Sequence, residues 1–563
     1  MKSITAIGAA LALTFVASAP ANADSPFVGN WKVQNVSSAS EPTYVLMQVE
    51  EKDGKLTAKA LASPLLSNKA SIEKFHADAK SMQFEVHAGQ AVYRFKVYVP
   101  RDNAKSKDPL GSIRLGNQVG LVRLVKTDEV ELKAADAQKV PPERKTLTEA
   151  QKMDGKERVA ALREILTANG DKPVAYLAAQ TLLQNLIKDD GKDTELRVLA
   201  ESWISIGALY GPEVENHTRL AVCQQLNRTG KAAPLAIEFA RQAEKKLSQK
   251  DDPAQLATVL KVLATSLRSS GKTAEALELL PRIEKIEEPL DALFAKTAVP
   301  FATEPFKGRE GKSQRVAVVE LFTGAYCPPC VAADIAFDAA LKTFGPKDVL
   351  LLQYHLHIPQ SDRLTNDDTQ ARYKYYQKSI RGVPTTFLNG KTTKALGGGK
   401  TQSQNSYKTL RGEVSEALEK DATAKLLLRV ERKGEQLDIR AHVAELKEPG
   451  DTMKLRFVLL EELVRYPGGN GQRLHHHVVR AMPGGAEGFV LKNAEGKTSA
   501  TVNLAELQKS LDAYMTTYNK GARPFVDDEY PLKLRHLKVA ALIQDDDSKE
   551  ILQAAQVDVP EKD

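Results

Sequence analysis

Cysteine is scarce in this chain, with three in 563 residues. That excludes a disulfide-built scaffold and leaves material for one special thiol site. Aromatic residues make up 6%, too few for a broad platform of stacked rings. No long lysine or arginine run occurs, and 79 basic against 72 acidic residues leave a net charge of +7 over the whole length. Nucleic acid is therefore not an expected partner. Beyond residue 23 no apolar stretch reaches the about 20 residues of a membrane helix, so no membrane span is expected. The remaining composition, 42% hydrophobic and 27% charged, excludes collagenous and disordered classes. At about 100–200 residues per domain, the length implies three to five domains.

Residues 1–23 read as an address. Lys2 supplies a positive start, Ile4 to Ala17 is apolar and uncharged, and Ala21-Asn22-Ala23 is a small-x-small cleavage site. This is the pattern of a cleavable signal peptide. No twin arginine precedes the apolar stretch, and no cysteine near the site would accept a lipid. The expected location is periplasmic or secreted, where disulfides persist.

The expected fold is multidomain α+β. Residues 24–138 alternate in strand fashion, as in Trp31-Lys32-Val33 and Tyr93-Arg94-Phe95-Lys96-Val97, with Asp53-Gly54 as a hairpin turn. They predict an all-β barrel or sandwich domain with Trp31 plugging its base. Phe27-Val28-Gly29-Asn30-Trp31 resembles the Gly-x-Trp opening of lipocalin-like barrels. Pro141-Pro142 marks a linker. Residues 145–298 show helical spacing, and Leu226-Asn-Arg-Thr-Gly230-Lys231 returns as Leu267-Arg-Ser-Ser-Gly271-Lys272. That echo suggests stacked helical hairpins of the tetratricopeptide or HEAT kind, which bind partners or space domains. Cys223, within Leu220-Ala221-Val222-Cys223, reads as a small core residue; its rival role is a resolving thiol. Residues 424–563 alternate again, around a helix at 504–518, and predict an antiparallel β-sandwich, immunoglobulin-like in class. His475-His476-His477 sits there, but neighbouring strand residues point to opposite faces and make a poor chelate.

Chemistry concentrates in residues 313–420. Val316 to Phe322 is a nearly continuous apolar run, as in a buried central strand. Thr323-Gly324-Ala325-Tyr326-Cys327-Pro328-Pro329-Cys330 follows, then the helical run Val331-Ala332-Ala333-Asp334-Ile335-Ala336-Phe337. A Cys-x-x-Cys between strand and helix puts its first thiol at a helix N-terminus, where free N–H groups and the helix dipole favour thiolate. Pro328 suits the first helical position because no N–H is needed there. Cys327 is the expected attacking thiol and Cys330 the resolving one, closing a Cys327–Cys330 disulfide. A second apolar strand runs from Val349 to His357, a polar helix from Asn366 to Lys378, and Val383-Pro384-Thr385 opens a strand that turns at Asn389-Gly390.

This succession resembles the thioredoxin superfamily. More closely, Glu320-Leu321-Phe322-Thr323-Gly324, Cys327, Cys330, Tyr354-His355, Asp362-Arg363-Leu364-Thr365-Asn366 and Gly382 to Gly390 resemble a bacterial thioredoxin-like family classed with outer-membrane proteins, with a C-terminal β-domain. The motifs span about 70 residues; the N-terminal β and helical segments have no counterpart there. The resemblance implies a thioredoxin-like α/β domain and a cis bond before Pro384. It implies that Val383-Pro384 holds substrate backbone and that Tyr326 shapes the entrance, where many relatives carry Trp. It also implies an acid beneath the resolving cysteine, for which Glu320 is the matching residue.

The expected function is thiol–disulfide oxidoreductase, acting on protein thiols or disulfides, needing no organic cofactor, and served by an unknown redox partner. Two alternatives stay open. One is an exported binding or scaffold protein with a vestigial redox domain. The other is a Cu or Zn carrier using Cys327, Cys330 and His355, because His355-x-His357 lies on one strand end. A lone Cys-x-x-Cys lacks the second pair of a structural zinc site, and no resident metal is expected.

Overall fold

Strand-period alternation builds the first part of the chain and helical spacing the middle, and strands return at the end. The computed structural model describes residues 25–561, except 38–39, 53, 65–69, 89–90, 101–106, 116–117, 133–139, 171, 190, 229, 248–252 and 520–531. The signal at 1–23 and Asp53 of the expected turn lie outside the described residues. The chain divides into two compact units, Met1–Phe239 and Ala240–Asp563. This division falls inside the helical stretch expected at 145–298.

The first unit opens with eight strands: β1 (Gly29–Asn35), β2 (Thr43–Lys52), β3 (Lys55–Ala62), β4 (Ser71–Ala77), β5 (Ser81–Ala88), β6 (Ala91–Tyr98), β7 (Leu110–Leu115) and β8 (Gln118–Thr127). They form one antiparallel sheet, ordered β3-β2-β1-β8-β7-β6-β5-β4. β1 and β8, the first and last of these eight strands in chain order, pair with each other, and the sheet nearly closes on itself. Alternate residues point inward, so Trp31, Val33, Val45, Met47, Phe84 and Phe95 share one core. The Trp31 indole donates to the Phe27 carbonyl at 2.7 Å, which satisfies its one buried polar atom.

Six helices follow: α1 (Pro142–Lys152), α2 (Gly155–Ala168), α3 (Pro173–Lys188), α4 (Asp193–Gly207), α5 (Pro212–Asn227) and α6 (Ala233–Lys246). Proline opens α1, α3 and α5, where its missing N–H costs nothing. Trp203 and Tyr176 meet edge to face with ring centroids 5.6 Å apart. Cys223 is buried on α5, and burial pushes its thiol up to about 12.

The boundary between the units falls within α6, and α7 (Pro253–Ser269) and α8 (Thr273–Thr297) belong to the second unit. Both glycines of the internal echo, Gly230 and Gly271, adopt positive φ at a helix end, the conformation that stops a helix most cheaply at glycine. Next come β9 (Ala317–Thr323), α9 (Val331–Thr343), β10 (Val349–His355), α10 (Asp367–Tyr376), β11 (Thr385–Leu388), β12 (Lys391–Thr392) and α11 (Ser403–Leu418). The chain ends with β13 (Lys425–Lys433), β14 (Gln436–Ala444), β15 (Gly450–Arg465), β16 (Leu474–Ala481), β17 (Phe489–Leu491), β18 (Gly496–Asn503), α12 (Leu504–Asn519), β19 (Leu537–Asp545) and β20 (Ile551–Asp558).

β9 and β10 pair in parallel over their whole length, and every residue of both is buried. The sequence predicts a domain boundary between 420 and 424, but the hydrogen-bonded sheet crosses it. Its order is β12-β11-β9-β10-β16-β15-β19-β20, with β17 on β15. The crossing point is the pairing of Gln353 with Val478. One face carries Val318, Phe322, Tyr376, Val458 and Leu542. The other face is covered twice. α9 and α11 pack on β9 and β10. The three-stranded sheet β13-β14-β18 packs on β15 and β19, with Leu437, Ile439 and Ala441 in one core with Phe457 and Ile543. The strands expected to form a sandwich at 424–563 therefore share a sheet with the strands of 317–392.

Phe457 is fully buried between these two sheets. Phe457→Ala should cost about 3–5 kcal/mol of stability, read from the chemical-denaturation midpoint. A loss below about 1 kcal/mol would mean that this layer packs more loosely than described.

Candidate functional site

The end of β9 delivers Thr323, the loop Gly324–Tyr326, and then the two cysteines. Cys327 and Cys330 are disulfide-bonded, with Cα atoms 5.3 Å apart. Pro328–Cys330 forms a 3-10 turn that runs straight into α9. The pair thus sits at a helix start, where unpaired N–H groups favour sulfur anions. Pro328 and Pro329 are exposed, whereas Cys327 is only 2% exposed and Cys330 is fully buried.

Three segments frame the turn. The Val383 carbonyl oxygen lies 3.9 Å from Cys327 Sγ, and the Val383–Pro384 bond is cis. Gly398 N–H donates to the Pro329 carbonyl at 2.7 Å, and Ala332 N–H donates to the Gly398 carbonyl at 2.9 Å. Asn470 N–H donates to the Ala325 carbonyl at 3.1 Å. Tyr326, Cys327, Cys330, Val383 and Pro384 therefore gather at one place.

Glu320 does not join them. Strand period two puts Glu320 and Phe322 on one face of β9 and Val319, Leu321 and Thr323 on the other. α9, which follows Cys330, packs on the Val319–Leu321 face. On the opposite face Glu320 takes Arg372 Nε at 2.7 Å and Nη2 at 3.0 Å, and the Tyr376 hydroxyl at 2.8 Å. All three side chains are buried. Glu320 is a charge partner within the core, and the expected role beneath Cys330 does not fit its position.

The acid on the cysteine side is Asp334. It lies on α9 four residues after Cys330, a spacing that stacks two side chains on one helix face. Thr323 Oγ1 donates to Asp334 Oδ1 at 2.8 Å, and Gln353 Nε2 donates to it at 3.3 Å. Burial, reinforced by the nearby Asp338 and Asp362 charges, pushes the Asp334 carboxyl up to about 8. The polar chain continues. His355 lies 3.1 Å from Gln353 Oε1 and 2.9 Å from Asp362 Oδ2. Asp362 also accepts from Ala325 N–H at 2.6 Å and Leu364 N–H at 2.8 Å. Burial works against its charge, but His355 and these donors hold its carboxyl below the usual range. The chain begins and ends at the loop that leads into Cys327. Its signal in the sequence is a single acid inside the apolar run 331–337.

No protein-family model matches this chain, and no curated protein matches it. Among solved structures, HBP35 of Porphyromonas gingivalis aligns with 44% of this chain and 77% of its own, at 16% identity and a TM-score of 0.31. The alkylpurine DNA glycosylase AlkC of Pseudomonas fluorescens, solved on DNA containing an abasic site analog, aligns with 74% of this chain and 92% of its own, at 11% identity and a TM-score of 0.15. Superpositions this loose assign neither fold nor function.

The histidines considered as metal ligands have protein partners. Both ring nitrogens of His355 face Gln353 and Asp362. His357 Nδ1 accepts from Asp362 N–H at 3.0 Å and its Nε2 meets the Tyr514 hydroxyl at 2.8 Å. His475 Nε2 meets the Tyr466 carbonyl at 2.9 Å, and His477 Nδ1 the Leu351 carbonyl at 2.9 Å. Among the described residues no three His, Cys, Asp or Glu side chains form a metal-ready group.

Two variants separate the two acids. Asp334 holds its proton more tightly folded than unfolded, so folding stability falls as pH rises from about 4 to about 8. Asp334→Asn should flatten that slope in urea titrations at several pH values; an unchanged slope would show that Asp334 is not the titrating group. Glu320→Gln leaves Arg372 as a buried unpaired charge and should cost about 3–5 kcal/mol. It should leave the pH dependence of cysteine alkylation unchanged.

Proposed function

We propose that this chain is an exported thiol–disulfide oxidoreductase whose residues 313–420 form a thioredoxin-like site within a larger second unit. The carrying observation is the Cys327–Cys330 pair on the turn that opens α9, with the Val383 carbonyl against Cys327 Sγ. The order β9, cysteine turn, α9, β10, α10, Val383-Pro384, β11 supports the resemblance read from the motifs. The chemistry balances without a cofactor. In the reduced protein, Cys327 thiolate attacks one sulfur of a substrate disulfide and expels the other as thiolate. Cys330 thiolate then attacks Cys327 of the mixed disulfide, releasing the second substrate thiolate and restoring the Cys327–Cys330 bond. Two electrons pass to the substrate. Asp334, four residues after Cys330 on α9, takes the place first given to Glu320: its carboxyl, held up to about 8, accepts a thiol proton once it ionises in mildly alkaline solution. The helices of the tetratricopeptide-like stretch and the nearly closed N-terminal sheet serve to engage a protein partner, and the address at 1–23 puts the site where disulfides form.

A binding protein with a vestigial redox site is the second reading, favoured by the 2% exposure of Cys327, since an attacking thiol needs access.

Cys330→Ser decides between them. On the exchange reading, the variant accumulates a mixed disulfide on Cys327 with a peptide disulfide, while Cys327→Ser traps nothing. The wild-type pair then has a reduction potential between about −270 and −120 mV in thiol buffers. No trapped adduct, with a potential below about −300 mV, would leave the binding reading.

A further inference from the structure

The turn between β15 and β16 comes from far along the sequence, yet it lies on the loop before Cys327. It reads Pro467-Gly468-Gly469-Asn470-Gly471. Asn470 ties it to that loop twice, through N–H to the Ala325 carbonyl at 3.1 Å and through Nδ2 to the Gly324 carbonyl at 3.3 Å. The approach is so close that only glycine fits. A Cβ on Gly468 would stand 2.2 Å from the Ala325 carbonyl oxygen, and one on Gly469 would stand 2.4 Å from Tyr326 Cδ1. Tyr466, at the head of the turn, meets the Tyr326 ring edge-on at 6.4 Å.

The two ends of this turn are held by charge. Arg465 precedes it and Arg473 follows it, and both reach α8. Arg465 binds Asp291 and also Glu284 at 2.8 Å. Arg473 binds Glu287 and also Asp291, at 3.1 Å from Nε and 2.9 Å from Nη2. Glu284, Glu287 and Asp291 are three and four residues apart, so they share one helix face. This is not a surface decoration, because Glu287 is 3% and Asp291 13% exposed at the side chain. Burial works against the Glu287 charge, but Lys261 and Arg473 hold its carboxyl below the usual range.

We propose that Arg465 and Arg473 are positioning residues: they lock the 467–471 turn onto α8, and the turn fixes Tyr326 and the backbone leading to Cys327, setting access to that sulfur. Helix α8 thereby controls how readily Cys327 reacts. The inference deepens the exchange reading and rests on it for its meaning, but the reactivity it concerns is measurable without any substrate.

The experiment is the rate of iodoacetamide alkylation at Cys327 in the reduced full chain, mapped by mass spectrometry. Arg473→Ala should raise that rate about threefold or more, and Asp291→Asn, which keeps both arginines, should act in the same direction. Arg473→Lys, which keeps the charge, should restore most of the wild-type rate. In Gly469→Ala, where the Tyr326 ring is already displaced, Arg473→Ala should add little, because the two sites act through one contact. Wild-type rates in Arg473→Ala and Asp291→Asn would overturn the proposal, and so would effects that simply multiply in the double variant. If Arg473→Ala fails to fold, Asp291→Asn and Gly469→Ala decide alone. Because no disulfide substrate is present, failure here leaves the exchange reading standing, and failure of mixed-disulfide trapping leaves this one standing.

Discussion

The parallel pairing of β9 with β10 is the constraint around which the second unit is arranged. Parallel strands need cover on both faces, and their seven-residue register leaves every side chain of the pair inside. One face receives α9 and α11, and the other receives α10 and the Tyr376 ring. That arrangement fixes the rest. α9 must begin beside the end of β9, so the cysteine turn falls where the parallel strands end. Polar residues that reach the α9 side, Thr323 and Gln353, must find partners there, and Asp334 supplies them. The strand that continues the sheet beyond β10 brings its own preceding turn onto the loop before Cys327.

Two acids illustrate how burial and pairing divide their roles. Glu320 has a guanidinium held by two hydrogen bonds and a tyrosine hydroxyl. What such a paired group contributes is registration of α10 on the sheet. Asp334 accepts from the neutral Thr323 and Gln353, with the Asp338 and Asp362 charges nearby. Burial without a counter-charge keeps its proton on until the solution is mildly alkaline.

Much of this is legible in the residues, for reasons that can be stated. Strand alternation marks the N-terminal sheet, and Trp31 lies in its core as its position implies. The Cys-Pro-Pro-Cys turn, the helix after it and the Val383-Pro384 loop are local patterns, and local patterns survive folding. Glu320 is misplaced by motif because counting seven residues back from Cys327 ignores which way a strand residue points. Asp334 is visible as an acid in an apolar helix, but its neighbours Gln353 and His355 arrive from another strand. The 467–471 turn is invisible as part of the site. Its glycines look like ordinary loop residues until the fold sets Tyr326 against them. The continuity of the sheet is hidden for the same reason, since a strand's partner is not written in its own sequence.

The single crossing from β10 to β16 has a practical meaning for anyone who cuts this protein. A fragment ending near residue 420 looks complete on motifs alone, with its cysteines, its proline loop and its last helix. It would nonetheless carry β10 as a bare parallel edge, now wholly buried and stripped of the neighbour that closes it. Exposed edges of that kind recruit other chains. The segment 313–420 is thus a region of this unit without being a module of it, and the cover of its edge belongs to strands that lie well beyond its own last helix.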